Sequence, residues 1–342
     1  MTDTIRLALI GCGRQMGQNL VPFLQRLQGH QIVACVDDDL TLAHAMQART
    51  GAARAVARVE ELDLGAVDAA ILAVPPQPSS ALTRYLVERG ISCFVEKPAG
   101  ESTVVLAGLN ELVRHSTAQV QVGFNFRYAE TLQQLHSLTH RIRATPSTVS
   151  INFFSRHPET PQWGVENTVE AWLRQNGVHA LDLARWFQPA PISKIDVHAI
   201  HRDMNHFFAT ILLRHTDGSL SVLRVGNHTM KFVVEVSVEG ADGSTFTAPS
   251  LEQVLLEMDA GTPSRALLHS TRNLDHGWAR SGFGPELEAF LAACRSREFG
   301  SSDRPSIADA LEASKICDQV MEQLNFDPVQ QIFVIDRAVA VG

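Results

Sequence analysis

The stretch that most constrains the fold lies at the start. A buried-strand pattern, Ile5–Ile10, runs straight into Gly11-Cys12-Gly13-Arg14-Gln15-Met16-Gly17, and a helix-like segment follows. Glycines at a strand-to-helix turn permit backbone conformations and close approaches that a Cβ forbids. A turn of this kind opens a βαβ unit, whose parallel sheet needs helices on both faces. The rhythm continues: Gln31–Val36, Ala69–Val74, Cys93–Val95 and Val120–Gly123 read as further strands with helical stretches between them. Ser79–Arg89 carries Ala81, Leu82, Tyr85 and Leu86 at helical spacing, with Gly90 as its C-terminal stop. The expected fold for residues 1–123 is an α/β Rossmann domain, a parallel doubly wound sheet.

Beyond Gly123 the rhythm changes. Ser147–Arg156, Ser193–Arg202, Phe207–Thr216, Ser219–Gly226 and Lys231–Gly240 are longer strand candidates, and Asp217-Gly218 and Asp242-Gly243 supply hairpin turns. Pro285–Arg295 and Ser306–Leu324 have helical periodicity, and Gln331–Val341 reads as one more strand, expected to pair at a sheet edge. Residues 124–342 are therefore expected to form an α+β domain on a large, mostly antiparallel open sheet. A chain of 342 residues is long enough for two such cores.

Other classes are disfavoured. A net charge of −8 argues against a nucleic-acid polyanion as the main partner. The start has no basic, apolar and small-residue succession of a signal peptide, and no apolar run is long enough for a membrane span. Five scattered cysteines, never in a C-x-x-C pair, suit reduced thiols in the cytoplasm. His198, His201, His206, His215 and His228 fall on alternating strand faces without tight ligand spacing, so no metal is expected.

The glycine turn suits a pyrophosphate, because its N–H groups gather at the positive end of a helix. Asp37 lies twenty residues past Gly17, at the end of the second strand, where a carboxylate can accept from a ribose diol. That carboxylate would repel a 2′-phosphate, which favours NAD over NADP; Arg14 can offset the preference, so NADP stays open. The spacing departs from G-x-G-x-x-G by one residue, with Met16 in the third slot and Gly17 one later. Glu96-Lys97-Pro98 ends a strand, which either points a lysine into the crevice where open α/β sheets bind ligands or leaves a surface lysine beside a loop proline.

With that tripeptide, the chain resembles the glucose–fructose oxidoreductase / inositol dehydrogenase (Gfo/Idh/MocA) family. Ala73-Val74-Pro75-Pro76-Gln77 resembles the family's loop against the nicotinamide half of the cofactor, and Val122–Tyr128 its interdomain crossover. Gly177-Val178-His179-Ala180-Leu181-Asp182 is similar to its G-x-H-x-x-D helix, and Ser306–Ala310 to the start of its last helix. The resemblance implies a dinucleotide held by Gly11, Gly13, Arg14, Gln15, Met16, Asp37, Val74, Pro75, Glu96, Lys97 and Asn125. It implies that Lys97 hydrogen-bonds the reacting oxygen and His179 exchanges its proton. Such general catalysis is typically worth ~10²–10⁴-fold.

Trp172, Gln175, His179, Asp182 and Trp186 recur at three- and four-residue steps, which predicts one helical stripe with Asp182 able to orient the imidazole. Substrate contacts are expected from Lys97, Arg127, Gln175, His179 and Asp182, and from Arg156 and Trp163 in the loop SRHPETPQWGV, which can equally be a solvent-exposed loop. Two positions depart from the family. Gln175 stands where many relatives have Asp, and a neutral amide cannot raise the histidine pKa as a carboxylate would. Ser80 stands where relatives often have histidine.

The expected activity is NAD(P)-dependent hydride transfer to or from a hydroxyl or keto carbon of a sugar, polyol or nucleotide-linked sugar. Gln175 keeps imine reduction open, and the altered glycine spacing a non-catalytic dinucleotide-binding regulator. The resemblance also implies a homodimer or homotetramer built on the second-domain sheet.

Overall fold

The computed structural model describes residues 4–142, 147–241, 243–259, 263–271, 280–298 and 304–324. The chain forms two compact units, each drawn from two stretches: Met1–Gln133 with Thr271–Ser314, and Gln134–Ser270 with Lys315–Gly342.

The first unit is a six-stranded sheet in the order β3-β2-β1-β4-β5-β6. Its strands are β1 Ile5–Ile10, β2 His30–Val36, β3 Arg54–Val56, β4 Ala69–Leu72, β5 Ser92–Val95 and β6 Val120–Val122, all parallel. Helices α1 Val21–Leu24, α2 Leu40–Thr50, α3 Pro76–Val87 and α4 Thr103–Arg114 make the crossovers. The central strands read as near-continuous apolar runs because both faces are covered: all of β4 and nearly all of β1 are buried. Ordinary caps set the boundaries. Asp39 accepts from Thr41 N–H before α2, and Gly51 ends that helix in the left-handed region.

A helix from late in the sequence completes this unit. The first crossover is short, a π turn Met16–Leu20 followed by the four residues of α1. Beside it packs a helix from the far end of the chain, Phe283–Ser296, which joins the core through Phe283, Leu287, Phe290 and Leu291. These meet Leu7, Leu9, Ile71 and Phe94, each burial being worth roughly 1.5–3 kcal/mol. The sequence reading divides the chain once, after Gly123; the observed unit is discontinuous because this amphipathic helix finds its apolar partner on the first sheet.

The second unit is an eight-stranded sheet in the order β14-β13-β12-β11-β7-β10-β9-β8. It comprises β7 Thr148–Phe154, β8 Ile192–His201, β9 Phe207–His215, β10 Leu220–Gly226, β11 Val233–Glu239, β12 Thr245–Ser250, β13 Gln253–Asp259 and β14 Pro263–Ser270. Every pairing is antiparallel except β7 with β10. Strict alternation in β7 and β9 gives the sheet one buried and one more exposed face. Against the buried face lie α6 Thr168–Trp172 and α7 Val178–Phe187, joined by a π turn Leu173–Gly177. In the remaining helices, α5 is Glu130–Ile142, α8 is the Phe283–Ser296 helix above, and α9 is Ile307–Gln323. The expected strand Gln331–Val341 lies outside the described residues.

Candidate active site

In the first unit the carboxyl ends of the strands carry the expected dinucleotide residues. Gly11 has φ +82°, and a Cβ there would come within 2.5 Å of the Ala73 carbonyl oxygen and 2.6 Å of Val74 Cγ1. Only glycine fits that close approach between β1 and the loop after β4. Around Gly13, by contrast, a Cβ would meet nothing within 4 Å. The turn thus has one glycine demanded by the protein itself and one that leaves open space, as a pyrophosphate cradle requires. Met16 is fully buried in the core, so it offers its backbone to the turn, while Arg14 is exposed. Val74 and Pro75 lie at the entrance of α3, where Pro75 is the N-cap.

Asp37, directly after β2, accepts the Cys12 N–H at 2.7 Å and the Asp39 N–H at 3.0 Å. The carboxylate therefore also ties down the turn itself, a role not foreseen from spacing. Partial exposure leaves it a surface toward solvent.

Gln15 Nε2 donates to Glu96 Oε1 at 2.6 Å, and Gln15 Oε1 accepts from Asn19 at 2.6 Å. Glu96 also accepts the Lys97 backbone N–H at 3.3 Å. The glycine turn and the Glu96-Lys97-Pro98 segment are thus linked side chain to side chain. The Lys97–Pro98 peptide is cis. Burial pushes the Lys97 ammonium below the usual lysine range, with the neighbouring Glu96 charge opposing. For Glu96, burial pushes the carboxyl up, while Lys97 and the Gln15 hydrogen bond pull it back. Ser80 donates to Glu101 Oε2 at 2.8 Å.

Asn125 and Arg127 sit in a 3-10 turn, Asn125–Tyr128, after β6. Asn125 Nδ2 donates to Ser281 O at 2.8 Å. The Arg127 guanidinium is buried and paired with Asp309 at 2.9 Å. Arg127, expected among the substrate contacts, anchors the start of α9 through this pair, because a desolvated guanidinium needs its carboxylate.

The second unit holds the histidine. His179 stands in the first turn of α7, 5% exposed, with its ring stacked on Phe153 of β7 at 6.0 Å. Asp182, one turn on, is buried. The predicted stripe is not continuous. The π turn inserts one extra residue per turn between Trp172 and His179, so Gln175 does not share the α-helical register of His179, Asp182 and Trp186. Gln175 Nε2 donates to Gln162 Oε1 at 3.1 Å, and Asn176 to His157 O through its amide. Both bonds hold the loop after β7 against the π turn. Within that loop Trp163 has φ +52° and is 46% exposed, and Arg156 is exposed and paired with Glu159 at 2.6 Å. Gln162 and Asn176 were not legible from the sequence, since only the π turn brings them to bear.

Among the described residues no group of three or more His, Cys, Asp or Glu is arranged to hold a metal ion. No described helix is long and apolar enough to cross a membrane.

The model of the Gfo/Idh/MocA oxidoreductase family, an NAD-binding Rossmann fold, matches residues 5–124. An inositol 2-dehydrogenase of Pseudarthrobacter chlorophenolicus is 25% identical over 340 residues, 94% of each chain. Residues 5–124 thus match the NAD-binding domain of Gfo/Idh/MocA oxidoreductases, and the chain is similar to inositol 2-dehydrogenases over most of its length. A second relative of this oxidoreductase, a myo-inositol dehydrogenase of Streptomyces leeuwenhoekii, is 26% identical over 71% of this chain and 77% of its own. The fold is that of a dehydrogenase from Chromobacterium violaceum, with TM-score 0.83 at 22% identity, covering 94% of this chain and 95% of that one. An oxidoreductase from Agrobacterium radiobacter, crystallised with NAD+, L-tartaric acid and magnesium, shares it too. Its TM-score is 0.79 at 17% identity, over 94% of this chain and 96% of that one. The protein is thus an NAD-binding oxidoreductase, and the open space at Gly13, the part-exposed Asp37 and the Gln15–Glu96 bond are compatible with a dinucleotide at this turn.

Proposed function

We propose that the protein is an NAD-dependent dehydrogenase of a cyclic polyol or sugar, acting on a secondary hydroxyl or the corresponding ketone. The observation that carries this reading is the buried Glu96 beside the part-buried Lys97, hydrogen-bonded through Gln15 to the glycine turn, in a chain whose full-length relative is an inositol 2-dehydrogenase. Bound at that turn, NAD supplies the acceptor for hydride from an alcohol carbon and, when reduced, the donor to a carbonyl.

The chain's own residues do the rest. Backbone N–H groups around Gly13 receive the pyrophosphate, and Asp37 receives the ribose diol, which favours NAD over NADP. Lys97 hydrogen-bonds the reacting oxygen, and its ammonium stabilises the developing alkoxide. Burial strengthens that interaction by excluding water. His179 takes the hydroxyl proton, since imidazole is the side chain poised near neutrality; Asp182 sets the ring's orientation. Gln175, with Trp163 and Arg156 on the adjoining loop, contacts the ring substrate. Arg127, paired with Asp309, ties the turn after β6 to the start of α9.

The test is NADH formation with NAD+ or NADP+ over a panel of cyclic polyols and sugars that includes myo-inositol. Turnover of at least one ring polyol with NAD+ is expected; none with any of them refutes the reading. One observation favours a second substrate class. Gln175 is a neutral amide held by Gln162, and a protonated imine needs less help from a base than an alcohol does. NADH consumption with cyclic imines but not keto-sugars would decide for that class. We also infer a cytoplasmic homodimer or homotetramer formed through the eight-stranded sheet, whose strands expose Ile200 and Leu267; a monomer by light scattering would contradict it.

A further inference from the structure

A second carboxyl group is buried next to Glu96, and the reaction proposed above does not use it. Glu286 of α8 is fully buried, yet neither of its carboxyl oxygens has a hydrogen-bond partner among the described residues. Gln121 Oε1 is buried and equally without a donor, while Gln121 Nε2 donates to the backbone carbonyl of Glu286 at 2.9 Å.

The register of the elements explains this grouping. Phe94 and Glu96 share one face of the β5 line, and Gln121 and Gly123 share one face of the neighbouring β6 line, with Phe94 paired to Gln121. Glu286 and Phe290, one helical turn apart on α8, cover that face. Phe290 meets Phe94 edge-on at 5.9 Å between ring centres. A Cβ on Gly123 would come within 3.1 Å of Glu96 Oε2. The side chain absent from Gly123 is therefore the space that the Glu96 carboxylate occupies.

Three buried acceptors without a donor call for a proton among them, since an unmet buried oxygen is destabilising. Two carboxyl groups in one apolar layer do not both ionise. The charge belongs on the better-solvated one. Glu96 accepts from Gln15 and from the Lys97 N–H and feels the Lys97 ammonium, whereas Glu286 has no such donors. We propose that Glu286 is a positioning residue: it carries a proton in the folded protein and, by staying neutral, leaves Glu96 as the anion that Gln15 and Lys97 require.

The part concerning Lys97 rests on the reading of Lys97 as the residue at the reacting oxygen; the part concerning Gln15 needs only dinucleotide binding. Burial first, and the Glu96 charge second, push the Glu286 carboxyl well above the usual range. Other titratable groups on the elements around α8 are engaged elsewhere. Arg6 of β1 pairs with Asp68 and Arg127 with Asp309. Tyr128 neighbours Arg127 in its turn, Cys93 of β5 is a buried thiol pushed far up, and Glu288 and Arg295 of α8 are exposed.

Two measurements on the full-length protein test this. The first is chemical denaturation of the wild type and Glu286→Gln from pH 5 to pH 9. In the unfolded chain Glu286 ionises above about pH 4.5; in the fold it is neutral, so folding takes up one proton. Wild-type stability relative to E286Q is then greatest at low pH and falls as pH rises, about tenfold in the folding constant per unit, levelling off only above the folded pKa. A ratio constant across the range means a charged Glu286 and overturns the proposal. The second is NADH affinity at neutral pH, read by fluorescence. Glu286→Leu is expected to weaken it at least about fivefold through Glu96 and Gln15, and E286Q to restore it within about twofold. Leu and Gln variants that bind alike overturn the positioning role. Neither readout needs turnover, so a failed search for substrate would strike the proposed reaction and leave both results interpretable.

Discussion

Two glycines two residues apart are expected to fail in opposite ways when given a methyl group. At Gly13 an added Cβ meets no protein atom within 4 Å and the backbone is in an ordinary region. Gly13→Ala should therefore leave stability unchanged or raise it by about 0.4–1 kcal/mol, through a less flexible unfolded chain. The same methyl enters the space proposed for the pyrophosphate. Displacing one charge-assisted N–H bond there removes about 1.5–3 kcal/mol, a roughly 10- to 150-fold rise in Kd. At Gly11 the left-handed backbone alone disfavours alanine by about 1–2 kcal/mol. The contacts at 2.5 Å to Ala73 O and 2.6 Å to Val74 Cγ1 add to this, and Ala73 is fixed by its own N–H bond to Ile10 O at 2.9 Å. Gly11→Ala should then lose about 2–3 kcal/mol of stability. The assay is a pair of titrations per variant, denaturant followed by circular dichroism and NADH followed by fluorescence. Wild-type NADH affinity in Gly13→Ala would refute the assignment of the open space to the cofactor.

Three further outcomes follow from the geometry. If the Lys97 ammonium stabilises the alkoxide, kcat/KM falls at alkaline pH with a midpoint below the 10.5 of an ordinary lysine, because burial lowers it. Glu96→Gln removes the opposing charge and should move that limb lower still, which a pH–rate profile would register. Arg127→Met removes the guanidinium from Asp309, which keeps its Ser306 bonds, and should destabilise by about 1–3 kcal/mol, with Arg127→Met/Asp309→Asn recovering part of the loss in denaturant titrations. Trp163→Gly relieves a left-handed backbone and should gain up to about 1 kcal/mol of stability while raising KM for the ring substrate; an unchanged KM would remove Trp163 from the contact surface.

Strong periodicity made much of the fold legible. The first strand is readable at Ile5–Ile10, and the second-unit strands from Ser147 to Gly240 fall within a residue or two of their observed ends, because they are apolar-rich runs with turn residues such as Asp217-Gly218 and Asp242-Gly243 after them. Three-residue β3 carries too little pattern to register, and β12 to β14 were missed from sequence. Local signals do not show which core a helix joins: α8 reads as a late helix and packs with the first unit. Of the site, motif residues such as Asp37, Lys97 and His179 were visible, but their partners were not. The bonds from Cys12 to Asp37, from Gln15 to Glu96 and from Gln175 to Gln162 span 25, 81 and 13 residues. No spacing rule links such pairs, and the π turn that shifts Gln175 has no sequence mark. Glu286 did leave a trace, a lone carboxyl among Phe283, Leu287 and Phe290 on one helical face.

The central claim is that a part-buried lysine beside the glycine turn acts on the reacting oxygen. Its most direct test is Lys97→Ala, measured for both NADH affinity and turnover of the polyol found by the substrate screen. The account predicts NADH binding within about threefold of wild type and kcat lower by at least about 10². Turnover within a factor of about two of wild type would contradict it.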